Sequence, residues 1–165
     1  MVRYSPKNTV KILTEMTSAS ERIRAVVAGS FLDGVLEYAI AKELVDLTEE
    51  EENAVFDLGG PLASCNQKIL MGHALGLFGP KTKAQLKIIN KVRNIFAHNM
   101  NEVTFDDDDV AKLASQLTFG LSEEEGARPL KDRFVNSAHY LVLALASDIE
   151  KCDGNFKAVV QRLAE

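Results

Sequence analysis

Apolar residues recur three and four positions apart along nearly the whole chain, and that period is the one an amphipathic α-helix needs. Between Ser18 and Leu47 it is kept by Ile23, Val26, Val27, Phe31, Val35, Tyr38, Ile40 and Leu44. Between Pro129 and Glu150 it is kept by Phe134, Val135, Ala138, Val142, Leu145 and Ile149. No segment alternates with the period of two that a half-buried strand requires, apart from the very short Val103-Thr104-Phe105. The expected fold class is therefore all-α, a compact bundle of about seven helices.

The breaks between helices have their own chemistry. Thr48 to Asn53 reads as an acidic loop or fraying end, and Leu58-Gly59-Gly60-Pro61 as a turn. Ser64-Cys65-Asn66-Gln67 reads as a capping box, opening a helix that runs to about Phe78. Gly79-Pro80 stops that helix and starts the next, which buries Leu86, Ile89, Val92 and Phe96 and ends near His98, with Asn99 as a left-handed terminator. Thr104 to Asp109 caps a short helix through about Leu117, and Glu123 to Gly126 reads as a loop. Asn155 caps a last helix holding Phe156, Val159, Val160 and Leu163. With 165 residues, 46% of them hydrophobic, the chain has the length and apolar content of one domain with a proper core, and residues 1–165 are expected to form one.

Charge and cysteine usage narrow the function. The net charge is −5 at pH 7. Duplex DNA is held mainly through its phosphates, so direct DNA binding is not expected of an acidic chain without a basic helix. The two cysteines, Cys65 and Cys152, make neither a disulfide framework nor a zinc spacing. Met1 to Val10 has no signal-peptide stretch, and the apolar run Tyr140 to Ala146 is far shorter than the ~20 residues of a membrane span. The expected location is the cytoplasm, with no membrane contact.

Several side chains invite chemistry. Lys83, Lys87 and Lys91 fall at successive i, i+4 positions, either as a solvated face or as a stripe that attracts anions. Arg93 and His98 are five apart, which places them roughly 140° apart on an ideal helix; they converge only if the helix ends near Ala97. Together, an Arg and a His suit phosphoryl chemistry at an RNA 2′-hydroxyl, the His moving a proton and the Arg steadying charge on the phosphorane oxygens. Asp33 and Glu37, also i, i+4, border the apolar face. They would either form a salt bridge or an exposed edge, or orient Arg93 or His98, and an Asp33–Arg93 contact is expected. Asp106 to Asp109 lacks the Gly and distal Glu of a calcium loop and reads as helix capping. His73 and His139 read as ordinary core histidines. Neither has a Ser or Cys partner at the spacing of a nucleophilic triad, and there is no G-x-G-x-x-G or Walker loop. No metal and no cofactor are expected.

The stretch from Phe56 to Phe105 resembles the mannitol operon repressor family. The resemblance rests on Phe56, Gly60-Pro61-Leu62, Lys68-Ile69, Ala74-Leu75-Gly76-Leu77, Ile89 through His98, and Phe105-Asp106, with Phe31-Leu32-Asp33-Gly34-Val35-Leu36 upstream. It covers about residues 20 to 118. It implies a repressor without a helix-turn-helix that acts through a partner or indirectly; a protein partner and a homo-oligomer are expected. Arg93, Asn94 and His98 also resemble the R-x4–6-H signature of the HEPN superfamily of helical domains, in which a polar residue directly follows the Arg. Some members are dimeric, metal-independent ribonucleases whose Arg and His meet at a subunit interface, and others are not catalytic. The resemblance thus implies two roles: a non-enzymatic repressor-type regulator, with Asp33, Glu37, Arg93, Asn94 and His98 as a structural cluster, or an RNA-binding protein or ribonuclease using Arg93 and His98.

Overall fold

The computed structural model describes residues 19–151, with side chains described through residue 146. Among these residues the chain forms seven α-helices and no strand. The helix expected after Asn155 lies outside the described residues.

Helix α1 (Glu21–Ala41) is the centre of the bundle and packs against three others. The Ser20 side chain caps it by accepting from the Ile23 amide. Its buried stripe is built from small and branched residues, Ala25, Ala28, Gly29, Leu32, Val35, Leu36, Ala39 and Ile40, which lets neighbours approach closely. It stops at Ala41, short of the expected Leu47.

The acidic stretch that follows is a helix and not a loop. In α2 (Glu49–Phe56), Thr48 and Glu51 form a reciprocal capping box, and Glu49, Glu50, Glu51 and Glu52 all lie in the first turn. Four carboxylates there complement the positive end of the helix dipole, so the charge run favours the helix at that end. Phe56 anchors it in the core.

Helix α3 (Cys65–Ala74) opens on the expected Ser64–Gln67 capping box. It ends four residues before Phe78. Gly76 adopts φ +76°, the Leu77 amide donates to Gly72 O, and the Gly76 amide donates to His73 O. This is a Schellman closure, and the left-handed glycine sets the end. Helix α4 (Pro80–His98) has Pro at its first turn and buries Leu86, Ile89, Val92 and Phe96 as expected, with Thr82. Its terminator differs from expectation: Asn99 is extended (φ −79°, ψ 126°), and its amide donates to Ile95 O.

Helix α5 (Asp108–Ala114) is shorter than expected, and its carbonyl end is closed by Arg133, whose Nη2 donates to Ser115 O and Leu117 O. The Asp106–Asp109 run caps only in part. The Asp107 carboxylate accepts from the Thr104 amide instead of from its own helix, while Asp108 and Asp109 face the dipole. Glu123–Gly126 is a single helical turn, α6, with a Ser122–Glu125 capping box, where a loop was expected. Helix α7 (Leu130–Lys151) closes the bundle against α1.

The Val103–Phe105 segment is not a strand. Phe105 inserts between Phe96 and Phe134, with ring centroids 4.9 and 5.2 Å away. Its amide donates to Glu21 at 2.9 Å, tying the α4–α5 connection to the start of α1. No helix among the described residues is long and apolar enough to cross a membrane.

Candidate functional site

The face of α1 turned towards α3 and α4 carries Gly29, Asp33 and Glu37, each one helical turn from the next. Arg93 of α4 lies across Gly29. A Cβ at that glycine would stand 2.5 Å from Arg93 Cγ and 2.7 Å from Arg93 Cβ, so only glycine admits this approach. The guanidinium Nη1 donates to Asn94 Oδ1 at 2.9 Å.

One and two turns further along α1, Lys68 of α3 takes the two carboxylates. Its Nζ donates to Asp33 Oδ2 at 3.2 Å and to Glu37 Oε2 at 2.7 Å. Lys68 is 3% exposed, whereas Asp33 and Glu37 keep 24% and 18% exposure. An unpaired ammonium at that depth would be expelled or neutralised. Burial opposes its charge, but hydrogen bonds and charge from Glu37 and Asp33 outweigh burial and hold the Lys68 pKa above its ordinary value.

Cys65 completes the cluster one turn before Lys68. Burial first, and the Asp33 charge second, push its thiol up to about 12, against the opposing charges of Arg93 and Lys68. A thiol protonated at neutral pH is a poor nucleophile, so Cys65 packs and does not attack. Asp33, Glu37, Lys68 and Arg93 supply two negative and two positive charges. Asp33 Oδ1 and Arg93 Nε are buried without a hydrogen-bond partner in the protein.

The expected Asp33–Arg93 contact is therefore replaced. Asp33 pairs with Lys68, and Arg93 bonds Asn94 beside it. Lys68 was missed as a site residue because a lysine near a helix start looks solvated. The signal lay in its place on the stripe of Cys65, Ile69 and Gly72, which is otherwise free of charge.

Arg93 and His98 are not brought together by the end of α4. The helix continues through His98, which is fully part of it and exposed, while Arg93 is half-buried against α1. The roughly 140° between them on a regular helix is thus retained. Asn94 is half-buried. Of the lysine stripe, Lys83 and Lys87 are half-buried, and Lys91 is exposed.

The other histidines are held locally. His73 Nδ1 lies 3.0 Å from Phe78 O, and its ring stacks on Phe78. His139 is half-buried beside Tyr140, and burial lowers its pKa. Among the described residues no group of three or more His, Cys, Asp or Glu is placed to hold a metal ion.

No family model, no curated protein and no solved structure matches this chain.

Proposed function

We propose that the protein is a non-enzymatic, repressor-type regulator that acts through protein contacts and not by reading DNA itself. The observation that carries this reading is the seating of Arg93 in the seam between α1 and α4, packed on Gly29, bonded to Asn94 and with its Nε buried, where it is turned to packing. Arg93 is spent on packing α4 against α1, and His98 stands on another side of the helix. A general acid–base pair needs both groups within hydrogen-bond reach of one substrate. The sequence resemblance to mannitol operon repressors gives the regulatory class, and the net charge of −5 argues against autonomous binding of DNA.

A protein partner fits the outer face of α3. Gln67, Leu70, Met71 and Ala74 share one exposed stripe, with Leu70 44% and Met71 36% exposed. Such a stripe suits contact with a helix of a partner or of a second copy in a cytoplasmic homo-oligomer.

The alternative is a HEPN-like RNA-binding protein or metal-independent ribonuclease. It is favoured by the exposure of His98 and Lys91 near one helix end, where a second copy can approach. Incubating mixed RNA with the purified protein and with its His98→Ala variant separates the two. The regulator reading expects no cleavage by either protein. Cleavage that disappears in His98→Ala overturns it in favour of the ribonuclease. Tight, sequence-dependent binding of operator-like DNA at physiological salt would overturn the protein-contact mode of action.

A further inference from the structure

A cleft of about 500 Å³ opens between the C-terminal half of α1 and helix α2, within the size range of small-molecule sites. Its charged lining is Glu37, Asp46, Glu52 and Lys42, with the Glu37 charge already shared with Lys68 behind it. Its aromatic lining is Tyr38 and Phe56. We propose that this cleft binds a small organic cation, an alkylammonium with a second charged end, such as a diamine.

Three observations carry the assignment. The cleft already seats an alkylammonium of the chain's own: Lys42 Nζ lies 4.9 Å from the centroid of the Tyr38 ring. The negative face of an aromatic ring attracts ammonium groups, and the attraction grows as water is excluded. A diffusible amine would compete with Lys42 for that ring.

Next, one carboxylate is fixed in advance. Glu37 is gripped from the α3 side by Lys68 at 2.7 Å, so a ligand meets it already ordered, with one of its oxygens and part of its charge spent on Lys68. The same contact ties the cleft to the buried cluster, because Lys68 is shared with Asp33.

Finally, the placement of the acids selects the kind of cation. Glu37, Asp46 and Glu52 line the cleft but do not form a group that could chelate a metal ion. Dispersed acids suit a ligand with charge at two ends. Half-buried Ala41 and Leu44, packed over the buried Phe56, offer the apolar wall against which a methylene stem lies. A bare inorganic cation would make no use of that wall.

The test is a titration of isotope-labelled full-length protein with cadaverine at physiological salt, followed by amide NMR, with matched additions of sodium chloride as control. The expected result is saturable shifts centred on residues 34–56, absent from the salt control. Lys42→Met, which removes the internal competitor, is expected to tighten binding roughly fivefold, and the Asp46→Asn/Glu52→Gln pair to weaken it about tenfold. Non-saturating shifts scattered over the acidic surface would overturn the proposal. So would equal affinity in the wild type and the paired variant. Circular dichroism checks that the paired variant is folded; if it is not, Lys42→Met decides, and unchanged or weaker binding by that variant sinks the site.

Discussion

Arg93 and Gly29 are in contact so close that the glycine cannot carry a side chain: a Cβ there would meet both Cβ and Cγ of the arginine below 3 Å. Because Arg93 Cβ is fixed by its own backbone, rotamer change cannot relieve the overlap, and α1 and α4 must separate. Gly29→Ala is therefore expected to cost about 1–3 kcal/mol despite alanine's better helix propensity. Urea unfolding measures it. Truncating the arginine as well, in Gly29→Ala/Arg93→Ala, removes the closer Cγ overlap and leaves the Cβ one, so it should recover part of the loss and the two substitutions are non-additive. Additive costs would show that the contact does not set the helix spacing.

Lys68 holds two carboxylates one turn apart, and removing it leaves them facing each other. Lys68→Met keeps the length of the side chain and deletes the charge. The expected cost is about 2–4 kcal/mol, below that of breaking a fully buried pair because Asp33 and Glu37 keep partial access to water. Adding Asp33→Asn and Glu37→Gln should restore much of the stability, since a neutral cluster has no orphaned charge. If the triple variant is less stable than Lys68→Met alone, charge pairing is not what the cluster contributes.

The same cluster predicts alkaline sensitivity. Cys65 titrates at about 12 in the folded protein against an ordinary 9.0, and Lys68 lies above its ordinary 10.5. Both groups bind their protons more tightly folded than unfolded. Their contribution is complete below the unfolded values and is lost as pH rises through the folded ones, each proton adding a slope of about 1.4 kcal/mol per pH unit. Melting curves between pH 9 and 12 should fall more steeply for the wild type than for Cys65→Ala. Parallel curves would mean that the buried thiol does not contribute.

Much of the architecture was legible because helix period and capping chemistry are local. The Ser64–Gln67 box, Pro80 at the start of α4 and the buried set Leu86, Ile89, Val92 and Phe96 stand where the sequence places them. The misread ends have local causes too. Gly76 closes α3 early, and the run Glu49–Glu52 is a helix start because four acids sit on its positive end. The site was harder to read, since its decisive contacts join distant segments. Asp33 and Glu37 were visible as a pair, but their partner is Lys68, 35 and 31 positions away. That Gly29 is the residue admitting Arg93 depends on α4 lying across α1, a contact between positions far apart in the sequence. The extended Asn99 left His98 in the helix, and only the backbone geometry decides that.

Arg93 is a packing residue, and His98 is not its partner. Thermal melts of Arg93→Ala and His98→Ala, side by side, test it most directly. Arg93→Ala loses the stem packed on Gly29 and the bond to Asn94, an expected cost of about 2 kcal/mol, or a fall of roughly 4–8 °C. His98→Ala, at an exposed helix end, should stay within about 0.5 kcal/mol of the wild type. If instead Arg93→Ala melts with the wild type, the arginine is not a structural clasp and is free to serve a reaction.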